Sequence, residues 1–376
     1  MTTDDLLIVA DGAHSADLRY AVGAPLTRPA VYLRLNGRGY ALLDEADLSA
    51  GRAATRDCRV RPLSRHLPQD NGRPTARLAA ALSRWLRTRG VRRVVVPADF
   101  PLALARALRD HKLRLQPRLD EPLFPERAVK SAAEVAMIRA AVVMAEVALA
   151  EGLHTLKNAQ INARRRLVFR GASLTAERLR AIMQVAIFQA GGHPEEVTVA
   201  LGMEGGCPGP AARGPLPAHR PILLALLLRS CKTGYHAALV RTVVRGRARE
   251  PVRAWHAALL QLRSLALRQL REGVETAEAH AALLRALKAH EVAPARPRRA
   301  SADWQAHVRG HGVGLARWEP PFLPGPSGTV FQTGHVLTVI SGATHPRLGS
   351  VALADLVVIT RHGARNLTPF EQVLEI

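Results

Sequence analysis

Two aliphatic segments joined by a short polar turn constrain the fold of this chain more than any other feature. The first is PILLALLLR (221–229), the second is GYHAALVRTVVRG (234–246), and only SCKT lies between them. Short apolar runs bounded by a turn are typical of buried strands, so we predict that the two segments pair as a β-hairpin. A β-sheet is therefore expected in the second half of the chain.

Helical and extended patterns surround this hairpin. The segment 131–153 opens with a capping box from Ser131 to Glu134 and is apolar at helical spacing, and the segment 174–192 has Thr175 as its N-cap. Further helices are predicted at 250–270 and 276–290, and further strands at 196–201, 335–341, 351–360 and 364–368. This mixture predicts a domain that contains both helices and a sheet.

Residues 1–120 alternate between strand-like and helix-like segments. Strands are predicted at 6–11, 30–35, 39–43 and 92–99, and helices at 73–90 and 99–112. The alternation indicates a compact α/β domain, and a length of 376 residues favours two domains. The proline-broken segment 114–130 has the pattern of a connection. We therefore place an N-terminal domain at 1–120, a linker at 121–130 and a second domain at 131–376.

The composition is typical of a globular protein, since hydrophobic residues make up 48% of the chain. No apolar run reaches the roughly 18 residues that a membrane helix needs, and the first residues lack the basic start of a signal peptide. Cys58, Cys207 and Cys231 show no metal-type spacing. We therefore expect a cytoplasmic protein whose cysteines are free thiols, packed as small buried hydrophobic side chains.

The formal net charge of +22 is the unusual feature of the composition, and only five of the 53 basic residues are Lys. A charge of this size attracts polyanions. Local clusters are formed by Arg164, Arg165 and Arg166, by Arg245, Arg247 and Arg249, and by Arg296, Arg298 and Arg299. Aromatic residues are 4% of the chain and none interleaves with these clusters, so base-stacking platforms are not expected. Solvated surface charge is the simpler interpretation, and nucleic-acid binding is the alternative.

A histidine between glycines is the first candidate for a functional site. His311 lies between Gly310 and Gly312 in HVRGHGVGLARWEPP (307–321), and Gly314 follows. Small residues on both sides of an imidazole let a ligand or a metal ion approach the backbone closely. The pattern predicts half of a metal site, and carboxylates would have to supply the other half.

Several stretches, taken together and in order, resemble one family. They are KSAAEVAMIRAA (130–141), LTAERLR (174–180), GPLPAHRPILLALLLR (214–229), GYHAALVRTVVRG (234–246), HVRGHGVGLARWEPP (307–321), GHVLTVISGATHPRLGSVALADLVVIT (334–360) and NLT (366–368). They are similar to the pita-bread metallopeptidases, which include prolidase, aminopeptidase P, methionine aminopeptidase and the related creatinase. The resemblance covers about residues 130–370.

The resemblance implies a fold of two domains. A small α/β domain of the kind found in prolidase and creatinase would come first. A pita-bread domain, which is an α+β fold with pseudo-twofold symmetry, would follow it. The resemblance also implies that the protein is a homodimer.

Active members of this family hold two divalent ions with two Asp, one His and two Glu. The carboxylates bridge the ions, neutralise their charge and orient a shared water molecule for attack on the peptide carbonyl. A nearby pair of His side chains helps to position the substrate and to stabilise the oxyanion.

Most of these residues are absent when the family pattern is carried over to this sequence. The positions of the two Asp are Ala225, with Leu227 as the alternative, and Ala238; the positions of the two Glu are Ile340 and Ala354; the His is retained as His311. The positions of the two substrate His are Trp318 and a residue at or near Gly209, whereas His307 and Glu319 are retained. The resemblance therefore predicts a pocket with one of its five metal ligands.

Neighbouring residues do not rebuild the predicted metal site. The candidates are Glu319, Asp355, Glu204 and His307. Asp355 adjoins Ala354 on a strand and should face the opposite side of the sheet. One imidazole with at most one carboxylate does not make a dinuclear centre, so we expect no metal ion and no other cofactor. We also expect an apolar plug at this place, with Trp318 filling the space of a substrate.

Three functions remain open. The first is a catalytically silent relative of prolidase and aminopeptidase P that binds an unknown protein, a Pro-containing peptide or an anion. The second is a Xaa-Pro hydrolase with an altered or metal-free site, in which His311, His307 and Tyr235 carry out acid–base chemistry. The third is a basic protein that associates with nucleic acid, with weak, non-specific binding of polyanions as its minimal form.

Overall fold

The computed structural model describes residues 5–12, 15–55, 57–69, 72–119, 122–204, 207–292 and 304–376. The chain divides into two compact units, Met1–Arg127 and Ala128–Ile376. The division falls inside the segment 121–130. Leu123 and Phe124 are buried in the core of the first unit, so this part of the predicted linker packs as part of that unit.

The first unit is an α/β domain built on a mixed sheet. Its strands are β1 (Leu6–Asp11), β2 (Pro29–Leu35), β3 (Arg38–Leu43), β4 (Cys58–Pro62), β5 (Arg93–Pro97) and β6 (Arg114–Arg118). Its helices are α1 (Ala16–Val22), α2 (Leu48–Ala54), α3 (Pro74–Arg87) and α4 (Leu102–Asp110). The strand order is β4-β3-β2-β1-β5-β6. Apolar side chains of α3 and α4 pack on one face of the sheet, and those of α1 and α2 on the other.

Short elements of this unit were not predicted from the sequence. They are α1, α2, β4 and β6. The strand β6 lies where the sequence predicts a proline-broken connection, and it is the edge strand of the sheet. Pro117 is compatible with this position because an edge strand need not donate every ladder hydrogen bond.

The second unit contains the predicted hairpin within a larger sheet. Its helices are α5 (Ala132–Lys157), α6 (Ala176–Gln189), α7 (Glu250–Gln269) and α8 (Thr276–Val292). Its strands are β7 (Gln160–Ile161), β8 (Leu167–Phe169), β9 (Ala172–Ser173), β10 (Gly192–Ala200), β11 (Met203–Glu204), β12 (Cys207–Pro208), β13 (Ile222–Ser230), β14 (His236–Val243), β15 (Gln305–Gly312), β16 (Glu319–Leu323), β17 (Val336–His345), β18 (Gly349–Ile359) and β19 (Ala364–Asn366). The order in the large sheet is β10-β13-β14-β18-β17-β15-β16, and β19 pairs with β18.

Helices pack on one side of this sheet, because the side chains along each strand point alternately to its two faces. On β18, Leu353 and Val357 point into a core with Trp255 and Leu259 of α7. Near the hairpin, a Cβ on Gly152 of α5 would lie 3.7 Å from a methyl group of Leu224 on β13, so this glycine permits close packing of helix and strand. We call the opposite side of the sheet, away from the helices, the site face.

The predicted helix caps are confirmed. The Ser131 hydroxyl accepts from the Glu134 backbone N–H, and the Glu134 side chain accepts from the Ser131 N–H. The Thr175 side chain accepts from the N–H of Arg178 at the start of α6. Within the described part of the chain, every helix is too short or too polar to cross a membrane.

The prediction that the cysteines are buried is wrong where the structure describes them. Cys231 is exposed and Cys58 is half-buried, and both are free thiols. The side chain of Cys207 lies outside the described part.

Candidate functional site

Three of the predicted ligand positions lie on one row across the site face. Ala225 of β13 is opposite Val240 of β14, Val240 is opposite Ala354 of β18, and Ala354 is opposite Ile340 of β17. Residues directly opposite each other on paired strands point to the same face of a sheet. The fold therefore brings these positions together, although they are up to 129 residues apart in the sequence.

The other predicted positions, Ala238 on β14 and His311 on β15, are two residues along their strands from this row. Ala238 is opposite Leu227, and His311 is opposite Thr338. Directly opposed Cβ atoms are about 4.5–5.5 Å apart, whereas diagonal neighbours are about 7–8 Å apart. Two carboxylates that share the same ions need the shorter separation, so the register favours Leu227, the alternative, over Ala225 as the counterpart of the family's first Asp.

The row is the centre of an aliphatic cluster. Its buried members are Ala200, Met203, Leu223, Val240, Ala352 and Ala354, and Ala225 and Ile340 pack against them. Ala354 is 0% exposed. Among the side chains that the structure describes, no three or more of His, Cys, Asp and Glu lie close enough together to hold a metal ion. This donor set does not fit a dinuclear metal centre, which needs bridging anions.

Every second residue of β15 points to the same face, and three such residues are His307, Arg309 and His311. Their side chains therefore share the site face. The Nδ1 of His311 lies 3.1 Å from the Gly312 carbonyl oxygen, which requires the proton on Nδ1. Burial lowers the pKa of His311 below the usual value for histidine. Burial, with a smaller contribution from the Arg309 charge, lowers the pKa of His307. Both imidazoles are therefore neutral at pH 7.

Trp318 does not fill the candidate pocket, and the prediction that it does so is wrong. The residue is 59% exposed. Its ring stands edge-on to His311 with 6.3 Å between the ring centroids, and the Arg317 guanidinium lies 4.5 Å from the Trp318 centroid. Trp318 precedes β16, so strand pairing does not fix the direction of its side chain. The apolar side chains at the candidate pocket are those of the aliphatic cluster.

Glu319 has a structural role. Its carboxylate pairs with Lys130, and the two side chains are 7% and 1% exposed. The Lys130 ammonium also donates to the Ala128 carbonyl at 3.2 Å. Because the charge of Glu319 is used in this buried pair, the residue does not supply a metal ligand beside His311.

The glycines around His311 serve the packing of strands. A Cβ on Gly310 would lie 2.9 Å from the Thr338 carbonyl oxygen, and one on Gly312 would lie 2.4 Å from the Pro320 carbonyl oxygen. A Cβ on Gly314 would lie 2.2 Å from the Glu319 carboxylate. Neighbouring protein atoms occupy the space beside these glycines. The prediction that the glycines make room for a ligand or a metal ion is therefore wrong.

Asp355 faces the helices, as the alternation predicts. Its carboxylate accepts from Arg241 Nη2 at 2.6 Å, from Arg263 Nε at 2.6 Å and from the Thr368 hydroxyl at 2.7 Å. It is therefore excluded as a ligand on the site face.

Three further sequence candidates do not complete a catalytic group with His311. The Tyr235 hydroxyl donates to the Glu134 carboxylate on α5 at 2.8 Å, which removes Tyr235 from the proposed acid–base group. Gly209 follows β12 and donates to the Gly202 carbonyl at 2.9 Å, and it brings no imidazole. The side chain of Glu204 lies outside the described part.

A polar cluster at the end of the site face was not predicted. Glu195 accepts from Arg229 Nε at 3.1 Å and lies 3.2 Å from His236 Nε2. The hydrogen bond with His236 is the largest of the effects that lower the pKa of Glu195 to about 2. Arg229 is directly opposite His236 on the hairpin. This pair is two residues along the strands from the pair of Leu227 and Ala238. The alternation of β14 could have placed His236 on the site face, but no pattern in the sequence pointed to Glu195.

Comparisons with known proteins agree with this architecture. Metallopeptidase family M24 matches residues 136–361, which is more than half of the chain. A Xaa-Pro dipeptidase from Pyrococcus furiosus is 29% identical over 152 residues, which are 40% of this chain and 41% of that protein. The aligned segment thus spans about two fifths of the length of this curated relative.

Solved structures share the fold over nearly the whole chain. The Xaa-Pro dipeptidase from Bacillus anthracis has a TM-score of 0.78 and 16% identity, covering 99% of this chain and 95% of that chain. The N-terminal domain of FACT complex subunit SPT16 from Cicer arietinum has a TM-score of 0.72 and 14% identity, covering 98% and 91%. The predicted two-domain fold, an N-terminal α/β domain and a C-terminal pita-bread domain, is therefore confirmed. The chain belongs to metallopeptidase family M24.

Proposed function

We propose that this chain is a Xaa-Pro peptidase homologue that has lost the paired metal ions and acts by binding rather than by hydrolysis. The observation that carries this proposal is that the four carboxylate positions favoured by the register hold aliphatic side chains, Leu227, Ala238, Ile340 and Ala354. Two divalent ions held without bridging anions would repel each other strongly in a pocket of low dielectric constant. Aliphatic side chains supply no such anion.

The loss of the ions would remove the means of attack on a peptide bond. In family members the metal pair lowers the pKa of a bound water molecule and polarises the substrate carbonyl. Here His311 and His307 are neutral and Glu319 is paired with Lys130, so no described carboxylate near His311 replaces that activation.

The proposed role is to bind a protein or peptide partner, and the site face offers chemistry for it. Arg309 carries a charge on an exposed side chain, and His307 and His311 offer neutral imidazoles beside the aliphatic cluster. The FACT complex subunit domain indicates that this fold also occurs in a subunit of a larger complex. The homodimer that the family resemblance implies is part of this proposal. Light scattering of the purified protein tests the oligomeric state.

A metal-free or single-ion hydrolase is the second candidate. The similarity to the Xaa-Pro dipeptidase of Pyrococcus furiosus and the retained pair His307 and His311 favour it. The pKa values of both imidazoles are lowered, which leaves each able to accept a proton at neutral pH. Binding is preferred because, among the described side chains, these imidazoles are not part of any group of three or more His, Cys, Asp and Glu that could hold a metal ion.

Hydrolysis of Xaa-Pro dipeptides separates the two candidates. We expect no turnover above the blank with Mn²⁺ or Co²⁺, under conditions in which the Pyrococcus furiosus relative is active. Turnover that a chelator abolishes would contradict the proposal. Turnover that survives the chelator and is lost in His311→Ala would establish the metal-free hydrolase instead.

A further inference from the structure

A cleft of about 600 Å³ lies at one end of the large sheet of the second unit. It is formed where β10 ends, where β13 begins and where α7 begins, together with the turn between β17 and β18. The described residues that line it are Arg164, Arg165, Arg166, Leu201, Pro217, Ala218, His219, Arg220, Pro221, Arg247, Arg249, Val252, Arg347 and Leu348. None of the predicted metal-ligand positions is among them, so the cleft is a separate feature.

The charged side chains that line this cleft are all positive. Seven of the described lining residues are Arg, and none is Asp or Glu. The nearby carboxylates of Glu250 and Glu375 are paired with Arg253. Within the described part of the chain, the side chains of Arg220 and Arg347 make no ion pair. Arginines held together without a compensating anion raise the local positive potential, and an anion would relieve it.

Backbone hydrogen bonds between distant segments join the loops that carry these arginines. The Ala218 N–H donates to the Arg165 carbonyl, and the His219 N–H donates to the Arg245 carbonyl, both at 2.9 Å. The His219 imidazole accepts from the Arg247 N–H at 3.0 Å. Two arginine clusters that are some 80 residues apart in the sequence are thus joined around one cavity. Arg245 itself is a structural residue, since it donates to the Ala159 and Ile376 carbonyls.

We propose that this cleft binds a compact anion with several phosphate groups. The guanidinium group matches phosphate oxygens through paired hydrogen bonds, and a cavity of 600 Å³ has the size of a small-molecule site. The N-terminus of α7 adds to the positive field because Arg249 is its N-cap residue. The lining residues include no Phe, Tyr or Trp, so the cleft recognises phosphate rather than a base.

A single-stranded or duplex nucleic acid fits these observations less well. Such a ligand needs a track that extends along the surface, and single strands also need stacking platforms. The seven arginines instead converge on one concavity. The remaining cluster, Arg296, Arg298 and Arg299, lies outside the described residues.

Calorimetric titration with inorganic triphosphate tests the proposal. We expect triphosphate to bind with a stoichiometry of one and more tightly than orthophosphate, with an affinity that falls as salt rises from 50 to 200 mM. The double variant Arg220→Ala/Arg347→Ala should weaken triphosphate binding at least about tenfold, since two charge-assisted contacts are lost. Its thermal unfolding should match that of the wild type.

The matched control is Arg106→Ala/Arg109→Ala. These exposed arginines of α4 belong to the first unit, and their removal changes the net charge by the same amount. We expect the control to bind triphosphate as the wild type does. Equal losses in both variants, or no binding of triphosphate, would overturn the proposal. Tighter binding of duplex DNA that is insensitive to the cleft variant would overturn it in favour of a nucleic-acid surface. Since no hydrolysis is measured, this outcome is independent of the function proposed above.

Discussion

Ala354→Glu is expected to lower the free energy of unfolding by about 3–5 kcal/mol at pH 7.5, because it places an unpaired carboxylate in an apolar cluster. Ala354 is fully buried, and its neighbours across the strands are Val240 and Ile340. In an active family member a Glu at this position would bind metal. Here we expect added Mn²⁺ not to restore the lost stability.

The pH dependence identifies the cause of this loss. Burial should raise the pKa of the new carboxyl above its value of about 4.3 in the unfolded chain. A raised pKa in the folded state means that the loss grows as pH rises and shrinks as pH falls towards about 4.3. Ala354→Gln has the same shape without the charge, and its loss should not depend on pH in this way. Urea unfolding of both variants at pH 7.5 and pH 5 measures the difference. Rescue of Ala354→Glu by Mn²⁺ would show that the cluster still accepts a metal ion.

Asp355→Asn is expected to lower the free energy of unfolding by about 3–5 kcal/mol, although the residue is next to Ala354. The substitution removes the negative charge opposite Arg241, whose side chain is 2% exposed, and leaves that cation buried without its counter-charge. It also weakens the contacts with Arg263 and Thr368. Urea unfolding with an unchanged denaturant slope is the appropriate measurement.

Glu250→Gln is the matched control for Asp355→Asn. It also removes a carboxylate that pairs with an arginine, Arg253, but both side chains of that pair are largely in contact with solvent. Ion pairs in water contribute little, so we expect the stability of this control to stay close to that of the wild type. If Asp355→Asn were equally mild, the buried pair would not stabilise the fold.

The period of two in β-strands explains how much of the site could be predicted. Alternation alone separates Ala354, on the site face, from Asp355, on the helix face. The hairpin of β13 and β14 followed from two aliphatic runs and a short turn. The register between strands decided the choice between Ala225 and Leu227, and the sequence left that choice open because the register is a property of the pairing.

Contacts between distant residues could not be predicted in this way. Lys130 and Glu319 are 189 residues apart, and neither position carries a pattern that names its partner. The arginine clusters were visible in the sequence, but their meeting around one cleft depends on the backbone bonds of Ala218 and His219. Trp318 was misplaced because it lies outside a strand, where side-chain direction does not follow from alternation.

The fold and the candidate chemistry of this protein are separate matters. A pita-bread domain is compatible with more than one function, because activity depends on a small set of side chains placed on the fold. In this chain the strands that would present metal ligands are intact. The side chains at those positions are aliphatic, and Ala354 and Ile340 pack in the cluster of the site face. That difference carries the proposal of a binding role.

Mn²⁺ binding, measured by equilibrium dialysis and elemental analysis, is the decisive experiment on the loss of the paired metal ions. We predict that the wild-type protein retains no more Mn²⁺ than His311→Ala, at concentrations that load an active family member. Retention of about two Mn²⁺ per chain, lost in His311→Ala, would show that the protein still has a dinuclear metal site.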